Sequence, residues 1–517
     1  MGQSLLDGLL LLLQPQSLLY LTIGMVIGLV IGFLPGLGGL ATLALLMPLI
    51  IGMDPVQGLS FILGAYGAVS FGGSITSILF NVPGTGEQVV TTFDGYPMAR
   101  KGQASRALGV SAGASAFGGL FGVGVLLLAI PVALQIMTYL RAPEVFALGV
   151  VGIMVMGVTD ARTRTKGVIS GALGLMLSFI GLDPLTGISR MTFGHLELNS
   201  GLGVTAMTMG LFAVSEMFAI FTRGVAIAGA GGEDVKRSKE KGSRVVDGLA
   251  DTVKNWRAVL QGGAIGAVAG IVPGVGGTLA MFGAYGMAKK RSKDPDSFGK
   301  GNPLGVLAPE SANNAKEGGS LVTTLSFGIP GSSGMALVIV ILLILGYVPG
   351  PDMINNHLDI VFLIAWICAL SNILCSVLGL ALAPGLAKLA YVRPQILAPA
   401  LIGISLIGSF LDTRLPMSIL IALTFGFFGY VFKALGYSSA GLILGFILGP
   451  IVDQNLGLAL QVFGPSFIFR PITGGVFTLV LIALAWSPVK KLWRRGRART
   501  TASPVAAEAE RHEERTR

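Results

Sequence analysis

Long apolar stretches follow one another along most of the chain, separated by short polar segments. Two of them are LLYLTIGMVIGLVIGF at 18–33 and VFLIAWICALSNILCSVLGLALA at 361–383. A helix that crosses a bilayer needs about 20 apolar residues, and stretches of this kind recur throughout. Segments of about ten residues with alternating polarity, as in a transmembrane β-barrel, do not occur. The pattern therefore predicts an all-α polytopic membrane protein.

The composition agrees with a membrane location. Of the 517 residues, 52% are hydrophobic and 12% are charged, whereas soluble domains carry about 25% charged residues. The net charge of +10 comes from basic residues in short loops and in the C-terminal tail, where the positive-inside rule places them. The predicted partner of this surface is therefore the lipid bilayer, and nucleic acid is not predicted as a partner.

Two apolar stretches carry the same pattern of glycine and proline. GFLPGLGG at 32–39 matches GIVPGVGG at 270–277. A second motif, GGSITSILFNVPG at 72–84, matches GGSLVTTLSFGIPG at 318–331 when one residue is inserted. A third and weaker pair is RAPEVFALGVVG and RPQILAPALIG. Because the three matches occur in the same order, the chain is predicted to be an internal duplication.

The duplication and the charge pattern divide the chain into six segments. A mixed-charge linker, expected to be helical in part, joins the two repeats. The segments are an N-terminal segment (1–16), membrane repeat 1 (17–225), a cytosolic linker (226–257), membrane repeat 2 (258–465), a final transmembrane helix (466–488) and a basic cytosolic tail (489–517).

Loop charge favours a topology in which 17–50 and 258–288 are re-entrant hairpins rather than full crossings. About 11 full crossings then remain, and each repeat holds an odd number of them, so the repeats lie inverted with the N-terminus outside and the C-terminus in the cytosol. Inverted repeats with broken helices are typical of secondary transporters, whose sites lie near the bilayer midplane. The predicted crossings are 58–80, 107–137, 143–159, 165–181, 203–223, 305–327, 358–384, 394–411, 415–431, 438–465 and 473–488.

Each hairpin is predicted to turn at its tip of glycine and proline. Proline lacks an N–H and interrupts a helix, and glycine permits close approach, so Gly38 and Gly276 are expected to tolerate no β-carbon. Irregular backbone at membrane depth is tolerated only where protein buries it or where it lines a cavity. Two related tips therefore indicate one shared binding region. The tip residues are Pro35, Gly36, Gly38, Gly39, Pro273, Gly274, Gly276 and Gly277.

NVPGTGEQ at 81–88 and GIPGSSG at 328–334 form a second pair of interruptions, one broken helix in each repeat. Such breaks offer backbone N–H groups and hydroxyls to an anion, and a helix dipole adds to the attraction. The alternative is an ordinary turn in the water-facing zone. The predicted substrate-binding residues are Asn81, Pro83, Gly84, Thr85, Gly86, Pro330, Gly331, Ser332 and Ser333.

The segment PESANNAKEGGS at 309–320 is unusually polar beside an apolar run. Asn313 and Asn314 can offer amide oxygens to a hard cation or N–H donors to a carboxylate. Glu310 can bind a cation or a proton, and the alternative role for these side chains is helix capping. No Arg or Lys is evident at the breaks, so dipoles, hydroxyls and a co-bound cation are expected to meet a substrate's charge. No metal beyond Na⁺ is predicted.

Motifs for catalysis and cofactor binding are missing from the sequence. Gly36, Gly38 and Ala41 fit a loose dinucleotide fingerprint, but no strand precedes them. There is no HExxH motif, no P-loop lysine and no nucleophile elbow. We therefore predict a protein that is not an enzyme and that carries no cofactor. Its driving energy is expected to come from an ion gradient or from another source.

Several of these motifs together resemble the large membrane subunit of the tripartite tricarboxylate transporters, the TctA family. GFLPGLGG, NVPGTGEQVVTTFDGYPMARKGQASRALG, GIVPGVGG and APESANNAKEGGSLVTTLSFGIPGSSG carry the resemblance, which spans nearly the whole chain. It implies a permease of the bacterial inner membrane that works with a small four-helix membrane subunit and a periplasmic solute-binding protein. It also implies carboxylate uptake driven by a cation gradient, usually sodium, with the proton as the alternative. A stand-alone carboxylate carrier without a binding protein is the alternative function.

Overall fold

The computed structural model describes residues 1–34, 37–160, 162–183, 187–223, 244–273, 276–389 and 394–478. Three predicted tip residues, Pro35, Gly36 and Gly274, lie outside the described residues. Most of the predicted linker, residues 479–488 of the final transmembrane helix and the whole basic tail lie outside them as well.

The described part of the chain is built almost entirely from helices. A 3₁₀ turn (Met47–Ile50) extends α3, a π-helical segment (Met209–Val214) joins α9 to α10, and residues 471–478 are also helical. Two short strands, β1 (Gly181–Leu182) and β2 (Ser189–Arg190), pair antiparallel. The helices are α1 (Gly2–Leu12), α2 (Pro15–Phe33), α3 (Gly39–Leu46), α4 (Pro55–Phe80), α5 (Val89–Arg100), α6 (Ala104–Met137), α7 (Ala142–Asp160), α8 (Arg164–Ser178), α9 (Val204–Thr208), α10 (Ser215–Arg223), α11 (Val245–Lys254), α12 (Trp256–Ile271), α13 (Gly276–Arg291), α14 (Leu304–Phe327), α15 (Ser333–Ile344), α16 (Pro351–Asn356), α17 (Leu358–Leu389), α18 (Pro394–Thr413), α19 (Pro416–Ala434) and α20 (Ser439–Phe463).

Six helices in the described residues are long and apolar enough to cross a membrane. The prediction of an all-α membrane protein is thereby confirmed, while the crossing count of about 11 and the inverted orientation stay predictions. Each predicted crossing up to residue 465 coincides with a helix or a helix series, whereas α1, α5, α15 and α16 were not predicted as separate helices. The six spans are Pro15–Phe33, Pro55–Phe80, Ala104–Met137, Leu358–Ala383, Pro416–Ala434 and Ser439–Phe469.

The first helix of each predicted hairpin packs unusually closely on the broken helix that follows it. A β-carbon on Gly24, Gly28 or Gly32 of α2 would lie only 2.0–2.4 Å from a backbone oxygen of α4. In repeat 2, a β-carbon on Gly262, Gly266 or Gly270 of α12 would lie 2.1–2.4 Å from a backbone oxygen of α14. Small residues spaced by four allow such contact between membrane helices, so each hairpin helix and its broken helix form one tight pair.

The two tight pairs share one register. The glycine sets correspond at a spacing of 238 residues (24 to 262, 28 to 266 and 32 to 270), and their partners on α4 and α14 correspond at a spacing of 247 (61 to 308, 65 to 312 and 69 to 316). The same spacing of 247 relates Asn81 to Gly328, which follow the last residues of α4 and α14 with φ of 58° and 67°. The breaks therefore align without the inserted residue, and Gly72 corresponds to Gly319 rather than to Gly318.

Candidate substrate and ion site

Each break rests on the end of the hairpin helix in its own repeat. A β-carbon on Gly84 would lie 2.3 Å from the Cα of Gly73 and 3.1 Å from the backbone oxygen of Gly32. A β-carbon on Gly331 would lie 2.6 Å from the backbone oxygen of Gly270 and 2.6 Å from the Cα of Ser320. Glycine is required at both positions because backbone packs against backbone there.

Several hydrogen-bond donors of the breaks are used within the breaks. The Thr85 N–H donates to Gln88 Oε1 at 3.1 Å, the Gly331 N–H to Thr324 Oγ1 at 3.3 Å, and the Met335 N–H to Ser332 Oγ at 3.3 Å. The N–H groups of Ser333 and Gly334 open α15, where a helix offers them no acceptor of its own. These two groups and the Thr85 hydroxyl are donors that the breaks can offer to an anion. Asn81, by contrast, is an exposed left-handed residue after α4.

Lys316 lies in the helix that ends at the second break and is only 3% exposed. Its Nζ atom is 2.7 Å from Oε2 of Glu87, which belongs to the first break, and 3.0 Å from Oε1 of Glu317. The expectation that no lysine serves the breaks is therefore wrong. A lysine inside the predicted crossing 305–327 was the available signal, because an ionisable residue in a membrane segment marks a functional site by default, but its polar neighbours obscured it.

The two hairpin tips approach side chains that bind consecutive residues of α14. A β-carbon on Gly277 would lie 2.4 Å from both carboxylate oxygens of Glu87, which pairs with Lys316. A β-carbon on Gly39 would lie 2.8 Å from the ring of Tyr66, whose hydroxyl donates to Oε1 of Glu317 at 3.2 Å. The described tip residues and the first break thus meet around one helix segment.

The close approach of the tips lies one residue beyond the expected position. A β-carbon on Gly38 would make an ordinary contact of 3.5 Å with Thr85 Cγ2, and one on Gly276 would meet nothing within 4 Å. Gly276 instead has a φ of 73°, a conformation that side-chain-bearing residues rarely adopt. Glycine is therefore needed at position 276 for the backbone conformation of the turn. At positions 39 and 277 it is needed for the close contacts with Tyr66 and Glu87. Pro273 stands just before this turn at the end of α12.

A cavity lies beside Lys316, between α4, α6, α14 and α17. Asn314, one of the three predicted cation or cavity residues, lines it together with Glu317 from the same helix. Tyr66 and Ser70 face it from α4, and α17 adds two further polar side chains. Glu317 and both residues of α17 are not predicted from the sequence, because their proximity arises only from helix packing.

Glu310 occupies a separate pocket of hydroxyl groups. Its side chain is fully buried, and Oε1 accepts hydrogen bonds from Thr91 at 2.5 Å and from Ser74 at 2.9 Å. Its Oε2 accepts from Ser74 at 3.0 Å and from Ser115 at 3.4 Å. Asn313, the neighbouring candidate, is 3% exposed, and its buried Oδ1 has no hydrogen-bond partner within the described part of the chain. The predicted cation residues are therefore divided between two environments rather than gathered in one.

Asp94 connects α5, the helix after the first break, to repeat 2 by hydrogen bonds. It lies buried in α5, and its carboxylate accepts from the backbone N–H groups of Gly299, Gly301 and Asn302 at 2.7–3.0 Å. The Tyr285 hydroxyl donates to the same carboxylate at 2.9 Å. One side chain thereby fixes the loop between α13 and α14 against α5.

A comparison with protein families decides the assignment. The profile of the "Tripartite tricarboxylate transporter TctA family" matches residues 18–444. The chain belongs to this TctA family. The resemblance seen in the sequence is thereby confirmed. TctA proteins are components of tripartite tricarboxylate transporters, so the chain is a multi-pass membrane subunit of a transporter of this type.

Two relatives of this TctA protein come from Agrobacterium vitis. The "Uncharacterized 52.8 kDa protein in TAR-I ttuC' 3'region" is 33% identical over 483 residues, which cover 91% of this chain and 94% of the relative. The "Uncharacterized protein in TAR-II ttuC' 3'region" is 32% identical over 222 residues, or 42% of this chain and 92% of the relative. No solved structure matches the chain significantly.

Proposed function

We propose that this TctA protein is the permease subunit that imports carboxylates, tricarboxylates or related organic acids, by cation symport with alternating access. Its proposed partners are a small four-helix membrane subunit and a periplasmic solute-binding protein. Its proposed location is the bacterial inner membrane, with the N-terminus outside and the C-terminus in the cytosol. Family membership supports the tripartite assembly, and the interrupted helices support the transport mechanism.

The observation that carries this proposal is the pair formed by Lys316 and Glu87. A carboxylate at membrane depth is costly unless an opposite charge and donors meet it. Lys316 supplies that charge from a buried position. Its neighbour Glu317 binds the Tyr66 hydroxyl, which lies against Gly334 at the start of α15. Glu87 is a carboxylate on an irregular loop, and its side chain is 31% exposed. A substrate carboxylate can therefore take the place of Glu87 on the Lys316 ammonium group.

Displacement of Glu87 also gives substrate binding a mechanical effect. The Glu87 carboxylate lies against Gly277 at the second hairpin tip. When it leaves Lys316, the contact between this tip and the first break changes. Binding at Lys316 is thereby coupled to the position of a hairpin, which is the type of gate that alternating access needs. Break residues Thr85, Ser332 and Ser333 remain the proposed contacts for the substrate's other polar groups.

The proposed coupling cation is sodium, with the proton as the alternative. Asn314 is the proposed sodium residue, because it lines the cavity next to Lys316. Glu310 is the proposed proton residue, because its pocket of hydroxyl groups can serve both a carboxylate and a carboxylic acid.

Uptake of radiolabelled carboxylates into proteoliposomes tests the proposal. The purified TctA protein is reconstituted with its membrane partner, and the binding protein is added outside. Sodium and proton gradients are imposed separately. We expect uptake to require the binding protein and at least one gradient. Uptake that ignores both gradients would contradict symport, and full uptake without the binding protein would favour the stand-alone carrier.

A further inference from the structure

One carboxylate oxygen beside the cavity has no hydrogen-bond partner. Two groups contact the Oε1 atom of Glu317: Lys316 Nζ at 3.0 Å and the Tyr66 hydroxyl at 3.2 Å. Its Oε2 atom is buried and accepts no hydrogen bond from the described residues. Leaving a charged oxygen buried without a partner is costly, so this atom indicates a ligand.

Three other polar side chains at the cavity direct donors to backbone carbonyl groups. Asn314 Nδ2 donates to the backbone oxygen of Glu310 at 2.9 Å, and Asn372 Nδ2 to that of Cys368 at 2.7 Å. The Ser371 hydroxyl donates to the backbone oxygen of Cys368 at 3.2 Å. The amide nitrogens must face these carbonyl groups, so the amide oxygens are left for other partners. What the cavity offers is a set of acceptors, and such a set suits a cation rather than an anion.

The charge of the neighbouring cluster sets the charge of the cation. Glu87 and Glu317 together carry two negative charges, and Lys316 between them carries one positive charge. The remaining charge of −1 is neutralised by one monovalent cation. Calcium and magnesium sites use several carboxylates or dedicated water shells, and the described residues contain no group of three His, Cys, Asp or Glu side chains suited to a metal.

We propose that this cavity binds the coupling sodium ion, with Glu317 as the charged ligand and the oxygens of Asn314, Ser371 and Asn372 as neutral ligands. That the ion drives transport rests on the proposed function. Glu317, which binds sodium, and Lys316, which binds the substrate carboxylate, are then adjacent residues of α14. A cation on Glu317 competes with Lys316 for the same carboxylate, which leaves the ammonium group more available to a substrate anion. Sodium and carboxylate therefore bind with positive cooperativity.

The test is sodium binding by the purified full-length chain, without any transport step. Thermal unfolding in detergent is followed while sodium chloride replaces choline chloride at constant ionic strength, with potassium chloride as a second series. We expect sodium, and not potassium or choline, to raise the unfolding temperature of the wild type. Glu317→Gln should increase the sodium concentration for half of the effect about tenfold or more, which corresponds to about 1.4 kcal/mol. Ser371→Ala should increase it several-fold.

A matched variant controls for general damage to α17. Ser376→Ala removes a hydroxyl that donates to the backbone oxygens of Ala112 and Asn372, on the same helix but away from the cavity. It should keep the wild-type sodium response even if its unfolding temperature falls. A wild-type response in both Glu317→Gln and Ser371→Ala would overturn the site, and so would the absence of any sodium response in the wild type.

The outcomes separate this inference from the proposed function. If the wild type imports carboxylates under a sodium gradient but the two cavity variants keep normal sodium binding, the function stands and the cavity is wrong. If the cavity variants lose sodium binding but no carboxylate is imported under any gradient, the ion site stands and the function is wrong.

Discussion

The Nζ atom of Lys316 lies 2.7 Å from Oε2 of Glu87, although 229 residues separate the two in the sequence. Glu87 belongs to the break after α4, and Lys316 to the helix that leads into the break after α14. One ion pair therefore joins the interrupted segments of the two repeats. The Lys316 side chain is 4% exposed, whereas the Glu87 side chain is 31% exposed. The lysine is therefore held within the protein, and the glutamate is the partner that can leave.

Lys316→Ala should lower the stability of the protein and abolish carboxylate uptake. Without the ammonium group, Glu87 and Glu317 face each other as unpaired carboxylates, and removal of one partner from a buried pair costs about 3–5 kcal/mol. In the double variant Lys316→Ala/Glu87→Gln, we expect much of the thermal stability in detergent to return. Uptake should remain absent because the positive charge is still missing. A double variant that transports at the wild-type rate would show that Lys316 only balances charge.

Gly28→Ala and Gly266→Ala should destabilise the two repeats to a similar extent. In both cases the new β-carbon would lie 2.1 Å from a backbone oxygen of the partner helix, and overpacking of this kind costs about 1–3 kcal/mol. Gly124→Ala in α6 is the control, because its β-carbon would meet nothing within 4 Å and alanine favours a helix by about 1 kcal/mol over glycine. Thermal unfolding in detergent measures all three. Equal unfolding temperatures for the three variants would contradict the close packing.

Gly39→Ala should reduce uptake far more than Gly38→Ala. The β-carbon at position 39 would lie 2.8 Å from the Tyr66 ring, which holds Glu317, whereas the one at 38 would make only an ordinary contact of 3.5 Å. Gly38 has a φ of −65°, which alanine adopts readily. We expect initial uptake rates in proteoliposomes to fall about tenfold or more for Gly39→Ala and to stay near wild type for Gly38→Ala. The reverse order would place the critical contact at the residue that the sequence pattern favoured.

Asp94→Ala should release the loop between α13 and α14. Three backbone N–H groups and the Tyr285 hydroxyl lose their acceptor, and each unsatisfied buried donor costs about 1–3 kcal/mol. Limited trypsin digestion in detergent should then cleave at Lys293 or Lys300 faster than in the wild type. Asp296 is an exposed acidic residue of the same loop, so the Asp296→Ala variant should be cleaved at the wild-type rate. Unchanged cleavage of Asp94→Ala would mean that other contacts hold the loop.

The helices were accessible from sequence because they depend on local patterns, and the predicted duplication rests on such patterns as well. Apolar length predicts a membrane helix, and the repeated glycines mark positions where two backbones touch. The register from sequence differs by one residue from the register in the structure because a sequence alignment matches the Gly72-Gly73 pair to the Gly318-Gly319 pair. In the structure, residues correspond by their packing instead.

The site itself was only partly accessible from sequence. The break residues and Asn314 could be proposed from their own segments, but Glu317 and Asn372 become neighbours only when α14 packs against α17. Lys316 was hidden by its polar context, since a lysine beside a glutamate usually indicates a solvated face. The close contacts at Gly39 and Gly277 depend on the turn geometry of the tips, which local pattern does not specify.

The glycine-lined contact between α2 and α4, and its counterpart between α12 and α14, also restricts how the protein can change shape. Backbone touches backbone at three successive levels in each pair, so neither helix can slide along its partner without collision. Each pair of helices is therefore rigid over that length. Side chains connect the first pair and the break after it to the second pair: Tyr66 binds Glu317, Ser74 binds Glu310, and Glu87 binds Lys316. A conformational cycle built on this arrangement concentrates its displacement at these side-chain contacts, while each glycine-lined pair keeps its packing.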